Sequence, residues 1–252
     1  MSDRKIAIVT GGSRGIGRSA VLSLAQRGVS SIFTYQSNQA EADKVAALAR
    51  DAGVPAVALQ LDMGTTSGFA DFALRVSAAL KDLGAERFDF LVNNAGGASN
   101  AGLTTITEAE MDELYSVHFK GVLFLTQTLL PLMNDGGRIV NISSGLARFT
   151  SPNRIGYGAI KAGVEAMTRY MAMELGPRRI AANVVAPGAI ATDFNGGMVR
   201  DNPMINKIIG ERTALGRAGL PDDVGPVIAG LLSDEFGWIN AQRIEVSGGM
   251  HL

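Results

Sequence analysis

Tyr157-Gly-Ala-Ile-Lys161 sets a phenol and an ammonium at i and i+4, on one face of a helix. A phenol of pKa about 10 is a poor acid–base group at neutral pH, and a neighbouring cation favours its ionised form. Read alone, the spacing is equally that of an exposed helix pair. Ser144 lies thirteen residues upstream, directly after the β-branched run Arg138–Ile142. A hydroxyl at the end of a parallel strand faces the crevice where ligands bind, and there it could hold a carbonyl oxygen. On its own, Ser144 is also an ordinary turn residue.

A second constellation opens the chain. Thr10-Gly-Gly-Ser-Arg-Gly-Ile-Gly17 stands between the apolar run Lys5–Val9 and the helical pattern Ile16–Arg27. Glycines after a strand let the backbone approach a pyrophosphate, and the helix N-terminus supplies free N–H groups. Gly11, Gly15 and Gly17 are more widely spaced than in the standard dinucleotide pattern, and without a ligand the loop would be a glycine-rich turn. No Lys follows in a G-K-[ST] arrangement, so a P-loop NTPase is excluded. The second strand candidate ends at Tyr35, and Gln36-Ser37-Asn38 carries no acid to hold a ribose 2′-hydroxyl. Arg14 offers a guanidinium, and Ser37 and Asn38 offer neutral donors, all suited to a 2′-phosphate. These residues favour NADP over NAD; the alternative leaves Arg14 a solvated loop charge.

The elements that must position these groups follow from short β-branched runs alternating with longer helical patterns. Strands are predicted at Lys5–Val9, Ser31–Tyr35, Ala56–Leu61, Phe88–Val92, Arg138–Ile142, Ile180–Val185 and Arg243–Val246. Helices are predicted at Ile16–Arg27, Ala40–Ala52, Thr66–Leu80, Glu108–Leu132, Tyr157–Leu175 and Asp222–Ser233. Strands separated by helices imply βαβ units with right-handed crossovers. The expected fold is α/β: one doubly wound Rossmann domain over residues 1–252, with a seven-stranded parallel sheet and helices on both faces. The stretch Gly188–Gly216 is long for a connection, and residues 189–216 are expected to form a substrate lid.

Composition sets the bounds. With 23 Lys+Arg against 24 Asp+Glu, the net charge is −1, which argues against nucleic acid as a partner. The absence of Cys excludes disulfide scaffolds, thiolate nucleophiles and iron–sulfur clusters, and two His are too few for a His-based metal site, so no metal is expected. No window approaches a membrane span, and the N-terminal residues lack the apolar core of a signal peptide. A soluble, cytoplasmic protein is the expectation.

Taken together, the motifs resemble those of the short-chain dehydrogenase/reductase family, in its subgroup of about 250-residue single-domain enzymes, in the family's order along the chain. Thr10–Gly17 is similar to the TGxxxGIG loop, and Asn93-Asn94-Ala95-Gly96 to the NNAG segment. Asp62, with Met63 beside it, fits the acid that contacts the adenine. Ser144, Tyr157 and Lys161 match the catalytic Ser and YxxxK. Asn183, Pro187, Gly188, Ile190 and Thr192 fit the stretch whose Ile amide and Thr hydroxyl meet the carboxamide, and Val246-Ser-Gly-Gly249 resembles the C-terminal ending. The resemblance implies hydride transfer between a nicotinamide and a carbonyl or secondary alcohol. Ser144 would polarise the oxygen, Tyr157 would donate the proton, and Lys161 would lower the tyrosine pKa and hold the ribose. Gly11, Ser13, Arg14, Gly15, Ile16, Gly17, Tyr35, Ser37, Asn38, Asn94, Ala95 and Gly96 would surround the rest of the cofactor.

Where the family commonly has Asn in a V-N-x-x-G context, this chain has His118, in Val117-His118-Phe119-Lys120-Gly121. A histidine can donate and accept, so it is expected either to join a proton relay to Lys161 or merely to pack. Phe149, Phe194, Met198, Met204 and Ile205 offer apolar pocket surface, and Arg148, Arg154 and Arg200 offer cations. A ketone or aldehyde reductase, or a 3-oxoacyl-[carrier-protein] reductase-like enzyme, fits this mixture. The alternatives are an NAD-dependent alcohol dehydrogenase of the same family and a non-catalytic NADP-binding sensor or scaffold. The resemblance also implies a homotetramer, or a homodimer, with Met167, Tyr170, Met171, Met173, Trp238 and Ile239 as either interface or core.

Overall fold

A computed structural model describes residues 4–252. Seven strands form one parallel sheet: β1 (Ile6–Val9), β2 (Ser30–Tyr35), β3 (Ala56–Gln60), β4 (Phe88–Asn93), β5 (Met133–Ile142), β6 (Ala181–Pro187) and β7 (Arg243–Val246). Their spatial order is β3-β2-β1-β4-β5-β6-β7, so the winding reverses between β1 and β4. Ligand crevices open at such a reversal, outside the C-terminal strand ends. Strand β1, Ile-Ala-Ile-Val, is an unbroken apolar run because both of its faces are covered. On one face Ala7, Val9 and Phe33 pack with Val21 and Leu24 of α1 (Gly15–Gln26), Val45 of α2 (Gln39–Asp51) and Ile228 of α9 (Pro221–Leu231). On the other, Ile8, Ile32 and Leu91 meet Phe72 of α3 (Phe69–Asp82), Leu125 of α5 (Gly121–Leu129) and Val164 of α6 (Ile155–Leu175).

A polar chain pins the site-bearing strands within this second core. Asn93 Nδ2 donates to Asn141 Oδ1 at 2.8 Å and to Thr126 Oγ1 at 3.1 Å, and Asn141 Nδ2 donates to Thr168 Oγ1 at 2.9 Å. Buried polar groups are tolerated when partnered in this way, and they lock β4 and β5 to α5 and α6 in one register.

The structure departs from the predicted elements in three places that bear on the site. The helix expected over Glu108–Leu132 is interrupted: α4 (Glu108–Tyr115) passes into a π-helical turn, Ser116–Lys120, before α5 begins at Gly121. Such turns mark inserted residues and are frequent at functional sites. The turn ends where the helix passes close to the segment after β3, since a Cβ on Gly121 would strike the Met63 carbonyl. Secondly, α6 starts at Ile155, two residues before the predicted Tyr157, which sets Tyr157 in its first turn. Thirdly, the segment from 188 to 216 carries two helices, α7 (Met198–Asp201) and α8 (Pro203–Glu211). Asn202 caps α8, accepting from the N–H groups of Met204 and Ile205 at 3.0 and 3.1 Å, with Pro203 in the first helical position.

Candidate active site

Ser144, Tyr157 and Lys161 converge at the C-terminal end of β5. Ser144 is the N-cap of a short turn, its Oγ accepting from the Leu146 N–H at 3.2 Å. Lys161, almost fully buried, donates from Nζ to the Ile142 carbonyl at 2.7 Å and stands 5.7 Å from the Tyr157 ring centre. Burial drives both titrations away from the charged forms. The Tyr157 phenol is pushed up to about 12, against the pull of the Ser144 hydroxyl and the Arg154 charge, and the Lys161 amine is pulled down to about 7. A phenol that keeps its proton beside an amine poised near neutrality suits a proton donor with a means of resupply.

His118 sits in the π-helical turn, 2% exposed, its ring edge-on to Tyr157 at 5.5 Å between centres. Its Nε2 lies 2.8 Å from the Gly97 carbonyl and 3.2 Å from the Gly97 N–H, so the ring ties the loop after β4 whichever tautomer it adopts. Nδ1 has no hydrogen-bond partner among the described residues. Desolvation, and then the charge of Lys161, pull the His118 pKa down to about 3, which removes the charged form that a shuttle near neutral pH would use. The imidazole is therefore neutral around neutral pH. A Cβ on Gly96 would collide with this ring, so glycine at 96 and histidine at 118 form one packing unit.

The glycine loop is shaped for close backbone approach. Gly11 and Gly15 have φ of +65° and +53°, and a Cβ on Gly17 would strike the Gly11 carbonyl. Arg14 occupies the N-cap of α1 without a side-chain cap, and no acid lies in the first turn, which leaves the N–H groups at Gly15, Ile16 and Gly17 open to an anion. Thr34 Oγ1 accepts from Gly11 N–H at 3.0 Å, and Asn94 Nδ2 donates to the Thr10 and Gly11 carbonyls at 2.9 and 3.1 Å. Ser13 lies in the same loop, and the Ala95 N–H is held by Thr10 Oγ1 at 3.0 Å. These features fit a dinucleotide pyrophosphate.

At the adenosine end, Tyr35 ends β2, and Arg14, Ser37, Asn38 and Asp62 are all exposed. Asn38 is less available than expected, since its Oδ1 caps α2 by accepting from Glu41 N–H at 3.1 Å. Met63 has its side chain in the core, so only its backbone can face a ligand. At the nicotinamide end, Gly188 N–H donates to Val246 O at 3.0 Å after Pro187, and Ile190 forms a bridge with Gly219. Thr192 reaches back to 3.4 Å from where a Cβ of Gly15 would stand.

This geometry has relatives. A family model described as enoyl-(acyl carrier protein) reductase matches residues 11–251. The tetrahydroxynaphthalene reductase PfmaG of Pestalotiopsis fici is 35% identical over 97% of this chain and 91% of its own. An uncharacterised oxidoreductase of Methylorubrum extorquens is also 35% identical, over 98% and 97%. The chain belongs to the short-chain dehydrogenase/reductase family. Among solved structures of this family, the promiscuous reductase LugOII, which catalyses keto-reduction at C1 during lugdunomycin biosynthesis, matches with a TM-score of 0.93 at 37% identity over 98% of both chains. The angucycline C-6 ketoreductase LanV, solved with bound NADP, matches with a TM-score of 0.93 at 33% identity over 98% and 95%.

As an oxidoreductase of the short-chain family, the chain carries further residues at the site that motif reading did not find. Arg243 of β7 bonds Glu165 of α6 at 2.7 Å and Glu245 at 2.6 Å, and its Nη2 donates to the Ser144 carbonyl at 3.3 Å. Glu165 also accepts from the Ser143 hydroxyl at 2.7 Å, and Arg148 joins Glu245 at 3.1 Å. The signal was present, since Arg243 and Glu245 put two charges on one face of an otherwise apolar strand. Across the cleft, Asn100 and Asn195 exchange amide hydrogen bonds at 2.6 and 3.2 Å, and Phe194 comes within 6.1 Å of the Tyr157 ring. No group of residues suited to a metal occurs among the described residues, and no helix there is long and apolar enough to cross a membrane.

Proposed function

We propose that this oxidoreductase is an NADP-dependent ketoreductase acting on a small-molecule ketone, or on the matching secondary alcohol in reverse. The observation that carries the reading is the buried Tyr157 phenol lying between the Ser144 hydroxyl and the Lys161 amine. When bound, the nicotinamide supplies the hydride. Ser144 holds the substrate carbonyl oxygen by hydrogen bond. Tyr157 passes its phenolic proton to that oxygen as charge develops on it, and Lys161 supports the phenolate left behind. Lys161 has one donor engaged at Ile142, which leaves two for the ribose hydroxyls and for proton return. His118 works as a neutral prop for the Gly96–Gly97 backbone, and a relay role would have to use it without a positive charge.

NADP is supported by the exposed Arg14 guanidinium and the lack of an acid after β2, and by LanV having been solved with NADP. Ketone substrates are supported by the reductases it resembles, which include tetrahydroxynaphthalene and angucycline enzymes. The 189–216 segment serves as the lid of a single domain, hinged at Asn195, Gly196 and Gly197, whose φ values of +56°, +66° and +74° give the chain its sharp turn. A homotetramer is supported by apolar side chains left on the surface. Tyr170 and Met173 of α6 are exposed while Met167 and Met171 are core, and Trp238 is fully exposed. The mass of the particle by light scattering tests the assembly. NADPH oxidation with a panel of aromatic and aliphatic ketones tests the activity; equal rates in wild type and Tyr157→Phe would reject the mechanism.

A further inference from the structure

Three arginines border the substrate side of the cleft, and two of them are neutralised within the protein. Arg148 pairs with Glu245. Arg200 pairs with Asp193 and Asp201 inside the lid. Arg154 has no carboxylate within 4.0 Å among the described residues, although it is half-buried. Glu110, whose Oε1 accepts from the Ser99 hydroxyl at 3.5 Å, is engaged at Oε2 by the Thr107 main chain and hydroxyl at 3.0 and 2.9 Å.

Arg154 is also fixed in place. It is the N-cap of α6, three residues before Tyr157, and its charge acts on the Tyr157 phenol. Asn153, at a φ of 61°, packs against Gly102, and Nη1 of Arg154 donates to the Ser99 carbonyl at 2.8 Å. Ser99 lines a cavity of about 490 Å³ that His118, Leu114, Glu110 and Glu113 also border, so Arg154 meets it at the Ser99 rim and the two carboxylates stand on another part of its wall. One guanidinium donor is therefore anchored at the rim of this cavity, while the others have no acceptor among the described residues. The charge is felt at the reaction centre, where it favours ionisation of Tyr157. A half-buried guanidinium with free donors and no counter-ion beside a proton donor is available to an anionic ligand.

We propose that Arg154 is a specificity-determining residue that binds an anionic oxygen of the substrate, a carboxylate or an ionised phenol, carried a few bonds from the reacting carbonyl. The planar guanidinium matches such an oxygen through charge-assisted hydrogen bonds. This rests on the ketoreductase reading for the position of the carbonyl, but the binding test does not depend on turnover.

Titration calorimetry, with and without saturating NADP+, compares acetoacetate with its methyl ester, and a hydroxytetralone above its phenol pKa with its methyl ether. At least one anion should bind about 10- to 100-fold tighter than its neutral partner, the range of one hydrogen bond to a charged group. Arg154→Met should abolish that preference and Arg154→Lys should keep part of it, the ratio being taken within each variant so that any loss common to both ligands cancels. Preference in the first pair alone assigns a carboxylate, and in the second alone a phenolate. No preference in either pair, or a preference that survives in Arg154→Met, overturns the proposal. If the preference holds and NADPH reduces none of the four ketones, the ketoreductase reading fails and the anion site stands.

Discussion

Arg243 holds Ser144 by its main chain: Nη2 donates to the Ser144 carbonyl at 3.3 Å while the same guanidinium is gripped by Glu165 and Glu245. The strand at one edge of the sheet thus orients the hydroxyl proposed to receive the substrate oxygen. Arg243→Gln should lower kcat by about tenfold while KM for NADPH changes little, because a misplaced catalytic group costs rate more than cofactor binding. Arg243→Lys, which cannot bridge two carboxylates in a planar fork, should recover only part of the loss. Steady-state kinetics of both variants, with melting temperatures to exclude unfolding, make the comparison; unaltered kcat would remove Arg243 from any positioning role.

Lys161 should weaken the fold it serves. Burial lowers its pKa from 10.5 to about 7. Above the upper value the amine is neutral in both folded and unfolded chains. As pH falls through the window between them, the unfolded chain takes up a proton that the folded chain refuses, so stability declines and then levels off below the lower value. Lys161→Met should therefore abolish reduction yet melt higher than wild type without cofactor, by about 2–4 °C for each kcal/mol recovered. The margin should be wider near about pH 6 than near about pH 9. Scanning calorimetry at the two pH values decides; a lower melting temperature at both would contradict it.

A neutral His118 predicts a flat response to pH. Its imidazole signals in NMR should not titrate between about pH 5 and pH 8, where an ordinary histidine does. His118→Asn should keep the position of the pH–rate profile, with any loss appearing as reduced stability. A shifted profile would return His118 to the proton relay.

Arg14→Ala tests the cofactor assignment. The KM for NADPH should rise about 10- to 100-fold, as expected for losing one charged contact, while NADH is used as before. Parallel losses with both cofactors would show that Arg14 supports the loop rather than a 2′-phosphate.

Much of this was legible in the sequence because it is local. The seven parallel strands followed from alternation of short apolar runs with helices, and the Ser144, Tyr157 and Lys161 grouping from a strand end and one helix turn. What escaped depends on partners far apart in the chain. Arg243 and Glu165 are separated by 78 positions, and no spacing rule reveals an ion pair across that distance. The π-helical turn was hidden for a related reason, since the close approach of the Met63 carbonyl to Gly121 beside it exists only in the fold. Helix α8 was the exception: Asn202-Pro203 is a capping signal that the glycines around it obscured.

The contact between Gly96 and His118 makes these two positions a single heritable unit. While the imidazole fills the space where a Cβ at 96 would lie, an alanine at 96 is blocked. Were 118 to become a smaller residue, that block would lift. Substitution histories at the two sites should then be ordered, with change at 118 first, and an engineer exchanging one should expect the outcome to depend on the other.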